Sequence, residues 1–122
     1  MQKAVIIYST TDGQTKRICE FLIKKLKAQI DIDLFSIEEA DHAELNLYDK
    51  IIIGASIRYG KHSPNLYKFI EKNIEILKAN FSAFFTVNVV ARKEGKNTPA
   101  TNPYMKKFLQ LTNWQPNLLG VF

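Results

Sequence analysis

Ala4-Val5-Ile6-Ile7-Tyr8, followed at once by Ser9-Thr10-Thr11-Asp12-Gly13-Gln14-Thr15, is the stretch that decides the architecture of this chain. Its first five residues are a short apolar run rich in β-branched side chains, the pattern of a strand covered on both faces. From Thr15 to Ala28 the period becomes helical, with Ile18, Phe21, Leu22 and Leu26 on one side. Between strand and helix lies a hydroxyl-rich turn, where backbone N–H groups and the positive end of the helix dipole converge on one point. That point suits a phosphate: Gly13 permits close backbone approach or positive φ, and the Ser and Thr hydroxyls are neutral donors. The same residues also read as an ordinary Ser/Thr/Asp helix cap.

Working outward, strands and helices alternate. Ile32–Ile37 reads as a second strand, the acidic stretch Glu38–Asp49 as a short helix or loop, and Lys50–Ser56 as a third, fully apolar strand with a small-residue end. Ser63-Pro64 is an N-cap followed by proline at the first helical position, and the helix after it carries Leu66, Phe69, Ile70, Ile74 and Leu77 on one face. Ser82–Val90 is a fourth strand. Asn102-Pro103 repeats the cap signal before a helix containing Tyr104, Phe108 and Leu111, and Leu118–Phe122 begins a fifth strand. This alternation predicts an α/β domain of right-handed βαβ units, a doubly wound parallel sheet with helices on both faces.

Ligands of such sheets bind outside the carboxyl ends of the strands, at the switch point between the first and third. Three unusual loops fall there: Ser9–Thr15, Ala55–Ser63 and Ala91–Asn102. The second has small residues that leave room for a flat ring, Tyr59 to stack on it, and three potential cations in Arg58, Lys61 and His62. An ordinary exposed loop is the plainer reading of the same residues.

Composition narrows the classes. A chain of 122 residues with 46% hydrophobic content can bury a core. No apolar run approaches the roughly 20 residues of a membrane span, and the N-terminus carries no signal-peptide pattern, so a cytoplasmic protein is expected. The single cysteine, Cys19, sits within helical periodicity and reads as a core residue rather than a nucleophile. His42 and His62 have no ligand-like spacing, and neither a metal nor a nucleic-acid partner is expected. The formal charge of +5 fits an anionic ligand, an acidic membrane surface or simply solvated lysines.

Tyr8–Thr15 resembles the flavodoxin phosphate loop, with Asp12 where a neutral residue is common and Cys19 where flavodoxins usually have alanine. Within that superfamily, Ser-Thr-x-Asp-Gly-Gln-Thr (9–15), Ile-Gly-Ala-Ser-Ile-Arg-Tyr-Gly (53–60), Val-Asn-Val-Val-Ala-Arg-Lys (87–93) and Lys-Asn-Thr-Pro-Ala-Thr-Asn (96–102) together resemble the menaquinone-dependent protoporphyrinogen IX oxidases. The resemblance implies a flavodoxin-like sheet in the order 2-1-3-4-5. It also implies an FMN enzyme of haem biosynthesis that passes electrons from protoporphyrinogen IX to a quinone, menaquinone by the family's habit, with peripheral contact on the cytoplasmic side of the inner membrane. Carried over by position, Ser9, Thr10, Thr11, Asp12, Gly13, Gln14 and Thr15 would hold the FMN phosphate. Ala55, Ser56, Ile57, Arg58, Tyr59 and Gly60, with Asn88, Val89, Val90, Ala91, Arg92 and Lys93, would flank the isoalloxazine. Arg58, Lys61, Arg92 and Lys93 are the candidate partners of the porphyrinogen propionates. No residue is assigned as a general base.

The chain stops at Phe122, within the expected fifth strand. A flavodoxin-like domain over 1–122 would therefore have a short fifth strand and no final helix, leaving part of one sheet face open to self-association. Two other functions fit the same residues: an FMN electron carrier, against which the positive charge weighs, and an inactive fragment that has lost the flavin.

Overall fold

The computed structural model describes residues 2–9, 14–26, 28–40, 44–57, 61–87, 95 and 97–122. Along the chain run β1 (Gln2–Ser9), α1 (Gln14–Leu26), β2 (Ile30–Ser36), α2 (Ile37–Ala40), a 3-10 turn (Leu45–Leu47), β3 (Lys50–Ser56), α3 (Pro64–Lys72), α4 (Ile74–Ala79), β4 (Phe81–Val87), α5 (Pro103–Leu111) and β5 (Leu118–Val121). The strands form one sheet in the order β2-β1-β3-β4-β5, and every pairing is parallel. The expected doubly wound order is borne out.

The pleat divides the core into two layers. Val5, Ile7, Ile51, Ile53 and Phe84 point to one face, where Ile37, Leu66, Phe69, Ile70, Leu77, Met105, Phe108 and Trp114 cover them. Ile6, Ile52 and Phe85 point to the other face, where α1 supplies Ile18, Cys19 and Leu22. Both cap signals hold. Ser63 Oγ accepts from Asn65 N at 3.2 Å, and Asn102 Oδ1 accepts from Tyr104 N and Met105 N at 3.1 and 3.2 Å.

Several expectations need correction. Phe21 is 58% exposed rather than on the buried side of α1, and Lys25 Nζ lies 5.5 Å over its ring. The buried stripe runs through Thr15, Cys19 and Leu22, and Phe21 lies about 120° round the helix from its centre at 3.6 residues per turn. Ile37 starts α2 instead of ending β2, because a capping box closes there: Ser36 N donates to Glu39 Oε1 at 2.9 Å and Glu39 N to Ser36 Oγ at 3.2 Å. The long helix after Pro64 is two, interrupted at Asn73, whose N–H and Nδ2 both donate to the carbonyl of Phe69. The helix expected to contain Tyr104, Phe108 and Leu111 is present as α5; Met105 and Phe108 form its buried face, and Leu111, its last residue, is 60% exposed. The end of the expected fourth strand, Asn88–Val90, lies outside the described residues.

At the opposite, N-terminal edge, Trp114 was not singled out by periodicity yet is fully buried. Its Nε1 donates to Ser82 Oγ at 2.9 Å, and Ser82 Oγ donates to the Leu77 carbonyl at 3.2 Å. Asn117 then pairs with the Ser82 backbone through both its own N–H (2.7 Å) and its Oδ1 (2.8 Å). These bonds set the register in which β5 enters the sheet.

Gly54 in the middle of β3 is there because of Phe85, its partner on β4. A Cβ on Gly54 would lie 2.0 Å from Phe85 Cζ, so the ring occupies the volume a side chain would take. Gly54→Ala is expected to cost about 2–3 kcal/mol by overpacking. Urea unfolding checks this, and adding Phe85→Leu should recover part of the loss, making the pair less than additive.

Candidate functional site

Parallel pairing brings the ends of β1, β3 and β4 to one edge. Ser9 is level with Ala55, and Ser56 is level with Val87. Beyond that level the β3 loop stays tied to β4, with Ile57 N donating to the Val87 carbonyl at 3.2 Å. Phe122 N likewise donates to the Thr86 carbonyl at 2.9 Å, so β5 reaches the same edge. Ala55 is fully buried, whereas Ser9, Ser56 and Ile57 are half-buried at the lip.

Thr15 is the most telling residue of this edge. It occupies the second position of α1 and is completely buried, yet among the described residues its Oγ1 has no hydrogen-bond partner. A buried hydroxyl left unpaired costs about 1–3 kcal/mol, so its persistence calls for an explanation. It stands in the first turn of α1, beside the first N–H groups of the helix, which lack intrahelical partners. The backbone of Gln14 opens the same turn. Thr10, Thr11, Asp12 and Gly13, expected to complete the loop, lie outside the described residues, as do Arg58, Tyr59, Gly60, Asn88, Val89, Val90, Ala91, Arg92, Lys93 and His42.

The structure corrects the reading of His62 as a third cation. The ring is 4% exposed, Nε2 is 2.9 Å from Thr86 Oγ1, and Phe84 and Phe108 meet it edge-on at 5.7 Å. Burial pushes its pKa down to about 4, so the imidazole is neutral at physiological pH. Sequence reasoning missed the His62–Thr86 pair. The signal was period 2: Thr86 shares the parity of Phe84, which faces the layer that α3 enters immediately after His62. Cys19 is fully buried and its thiol is pushed up to about 12 by burial, in keeping with its reading as a core residue. Lys61 is exposed beside His62.

Between the start of α3 and α5 lies a cavity of about 300 Å³. Ile57, Tyr67, Tyr104 and Leu111 give it an apolar lining, His62 joins them, and Lys61 and Lys107 supply its cations. No helix among the described residues is long and apolar enough to cross a membrane.

The family model of the flavodoxin domain matches residues 5–122. The chain is 41% identical over 122 residues to a protoporphyrinogen IX dehydrogenase [quinone] of Leishmania major, covering 98% of this chain and 53% of that protein. It is 40% identical over 120 residues to the protein of the same name in Escherichia coli K12, covering 98% of this chain and 66% of the other. The chain thus spans between half and two thirds of the length of these relatives. Among solved structures, the two-electron reduced flavodoxin of Megasphaera elsdenii superposes with a TM-score of 0.71 at 15% identity, over 97% of this chain and 84% of that one.

The buried His62 makes stability depend on pH with a definite sign. Unfolded, it takes up a proton near 6.5; folded, only near 4. Its contribution is therefore intact above pH 6.5 and is lost as pH falls towards 4, on the order of 2–3 kcal/mol across that window. Urea midpoints at pH 7 and 4.5 are expected to fall for the wild type and to fall less for His62→Gln.

Proposed function

The chain belongs to the flavodoxin domain family, and on that premise we propose that it binds FMN at the carboxyl edge of its sheet and serves the oxidation of protoporphyrinogen IX by a quinone. The observation that carries the cofactor half is Thr15, a buried, unpartnered hydroxyl at the head of α1. The relatives at 40 and 41% identity, both named for protoporphyrinogen IX and a quinone, support the substrate half. When bound, FMN supplies the two-electron chemistry that protein side chains lack.

The residues of this chain do the rest. Thr15 Oγ1 donates to the phosphate, and Ser9, Thr10, Thr11, Asp12, Gly13 and Gln14 belong to the same assigned loop. Ala55 and Ser56, small and level with the ends of β1 and β4, leave space for a flat ring. Ile57, Arg58, Tyr59, Gly60, Asn88, Val89, Val90, Ala91, Arg92 and Lys93 are assigned to its flanks. Arg58, Lys61, Arg92 and Lys93 are assigned to the substrate's carboxylates, and apolar walls such as Ile57 keep water from the reacting edge. In this reading the protein works in the cytoplasm. A menaquinone acceptor would bring it to the membrane, where a charge of +5 favours an acidic surface. The half-exposed Phe122 and the exposed Leu118 give β5 an apolar margin for a second copy.

The test is an FMN titration followed by flavin fluorescence, then oxidation of protoporphyrinogen IX coupled to a soluble quinone. Tight binding with quinone-dependent turnover is expected. Binding without turnover would favour a carrier, and no binding would overturn the proposal.

Thr15→Val should act with opposite signs on the two states. Without flavin it removes an unpaired buried hydroxyl and should stabilise the protein by about 1 kcal/mol; with flavin it should weaken binding by roughly 1.5–3 kcal/mol. Thermal denaturation with and without FMN measures both.

A further inference from the structure

The cavity between α3 and α5 is separate from the head of α1, lying on the opposite face of the sheet. Its lining is aromatic and aliphatic: Ile57 from the β3 loop, Tyr67 from α3, and Tyr104 and Leu111 from α5. Tyr67 is braced by Phe108, with ring centroids 5.8 Å apart and planes at 30°, and burial raises its phenol pKa, so it stays uncharged at neutral pH. His62 is committed through Nε2 to Thr86 and carries no charge there. The positive charge of the cavity therefore comes from Lys61 and Lys107, both exposed and without an ion-pair partner among the described residues.

A trough with uncharged ring walls and two unpaired ammonium groups is complementary to an amphipathic anion, a flat apolar ring bearing carboxylates. Its volume of about 300 Å³ is at the small end for a ligand site. It accommodates one substituted pyrrole with its carboxylate arm, not a whole macrocycle. Resting on the proposed function, we infer that this trough is the docking site for a propionate-bearing corner of the tetrapyrrole, with Lys61 and Lys107 meeting the carboxylates and Tyr67 and Tyr104 flanking the pyrrole. Ile57 belongs both to the trough and to the lip of the β3 end, so the rest of the macrocycle lies towards the carboxyl edge of the sheet. Of the cations read from sequence as substrate contacts, Lys61 lines the trough, and Arg58, Arg92 and Lys93 lie outside the described residues. Lys107 is added; it lies on α5, beyond all four motifs.

The test uses protoporphyrin IX, the coloured oxidised product, titrated against the full chain and followed by its Soret band, so that no flavin turnover is needed. Lys61→Ala with Lys107→Ala should weaken binding about tenfold, as for two exposed charge contacts. Leu111→Glu, which puts a negative charge at an exposed position of the mouth, should do the same. The dimethyl ester, which lacks both carboxylates, should bind the wild type and the lysine double variant equally. Lys24→Ala with Lys25→Ala removes the same charge from α1 and should leave protoporphyrin binding within about twofold. If the wild type binds porphyrin but neither Lys61/Lys107 nor Leu111 matters, or if Lys24/Lys25 matters as much, the trough is overturned while the substrate reading stands. If the wild type binds FMN but no porphyrin, the substrate reading itself fails.

Discussion

Every described strand is paired in parallel with its neighbours, and the rest of the structure depends on that constraint. A parallel pair cannot be closed by a tight turn; each connection must cross the sheet and return to the same end. The connections after β1, β3 and β4 consequently all leave from one edge. Two independent ladders hold that edge level, Ser9 beside Ala55 and Ser56 beside Val87. The opposite edge is where packing secures the register: Trp114, Ser82 and Leu77 form a buried hydrogen-bonded chain at the start of β4, to which the exposed Asn117 is tied through the Ser82 backbone. The register bonds and the candidate site thus lie at opposite ends of the same strands.

Side-chain volume keeps the central strands close. Phe85 lies over Gly54 where a Cβ would stand, and meets Phe122 edge-on at 5.4 Å on its other side. On the second face, Phe84 and Phe108 stack with planes at 4° and centroids 3.8 Å apart, and Trp114 meets both edge-on. These aromatic contacts fasten α5 to β4 and so fix one wall of the cavity that α5 shares with α3. Only α1 backs the Phe85 face among the described residues, and it reaches the sheet through small and branched side chains. Cys19 suits that approach, being compact, apolar in behaviour and held protonated by burial.

What was legible in the sequence were the features with local causes. The apolar runs gave the strands, and the Ser63-Pro64 and Asn102-Pro103 pairs gave two helix starts to the residue, because a cap is made by atoms within three residues of one another. The errors came from choices that only tertiary contact decides. Phe21 is large and apolar, and its spacing fits a stripe, but the stripe of α1 is centred elsewhere. Ile37 is the exception: the box that Ser36 and Glu39 close is local, and the Ser-x-x-Glu spacing was open to reading as a helix start. At the site, the hydroxyls of the first loop could be read as phosphate ligands or as a cap. The burial of Thr15 without a partner among the described residues bears on that choice, and burial is not local information. The His62–Thr86 pair joins residues 24 apart; no motif spans that distance.

Charge placement ties these parts together. A buried cation would have to be desolvated before any ligand arrived, a cost that only an equally buried partner offsets. Here the buried polar groups Thr15, His62 and Thr86 are all uncharged at neutral pH, and the cations of the trough are exposed. A hydroxyl such as that of Thr15 needs no counter-charge when buried, and a hydrogen bond from it to a charged acceptor would be roughly twice a neutral one. Lys61 and Lys107 stay hydrated at the trough mouth, where they attract anions at long range and are weakened by salt. Neutral polar groups in the interior and hydrated cations at its margin thus leave the described core without a buried charge, and Thr15 Oγ1 is the buried side-chain oxygen that finds no partner among the described residues.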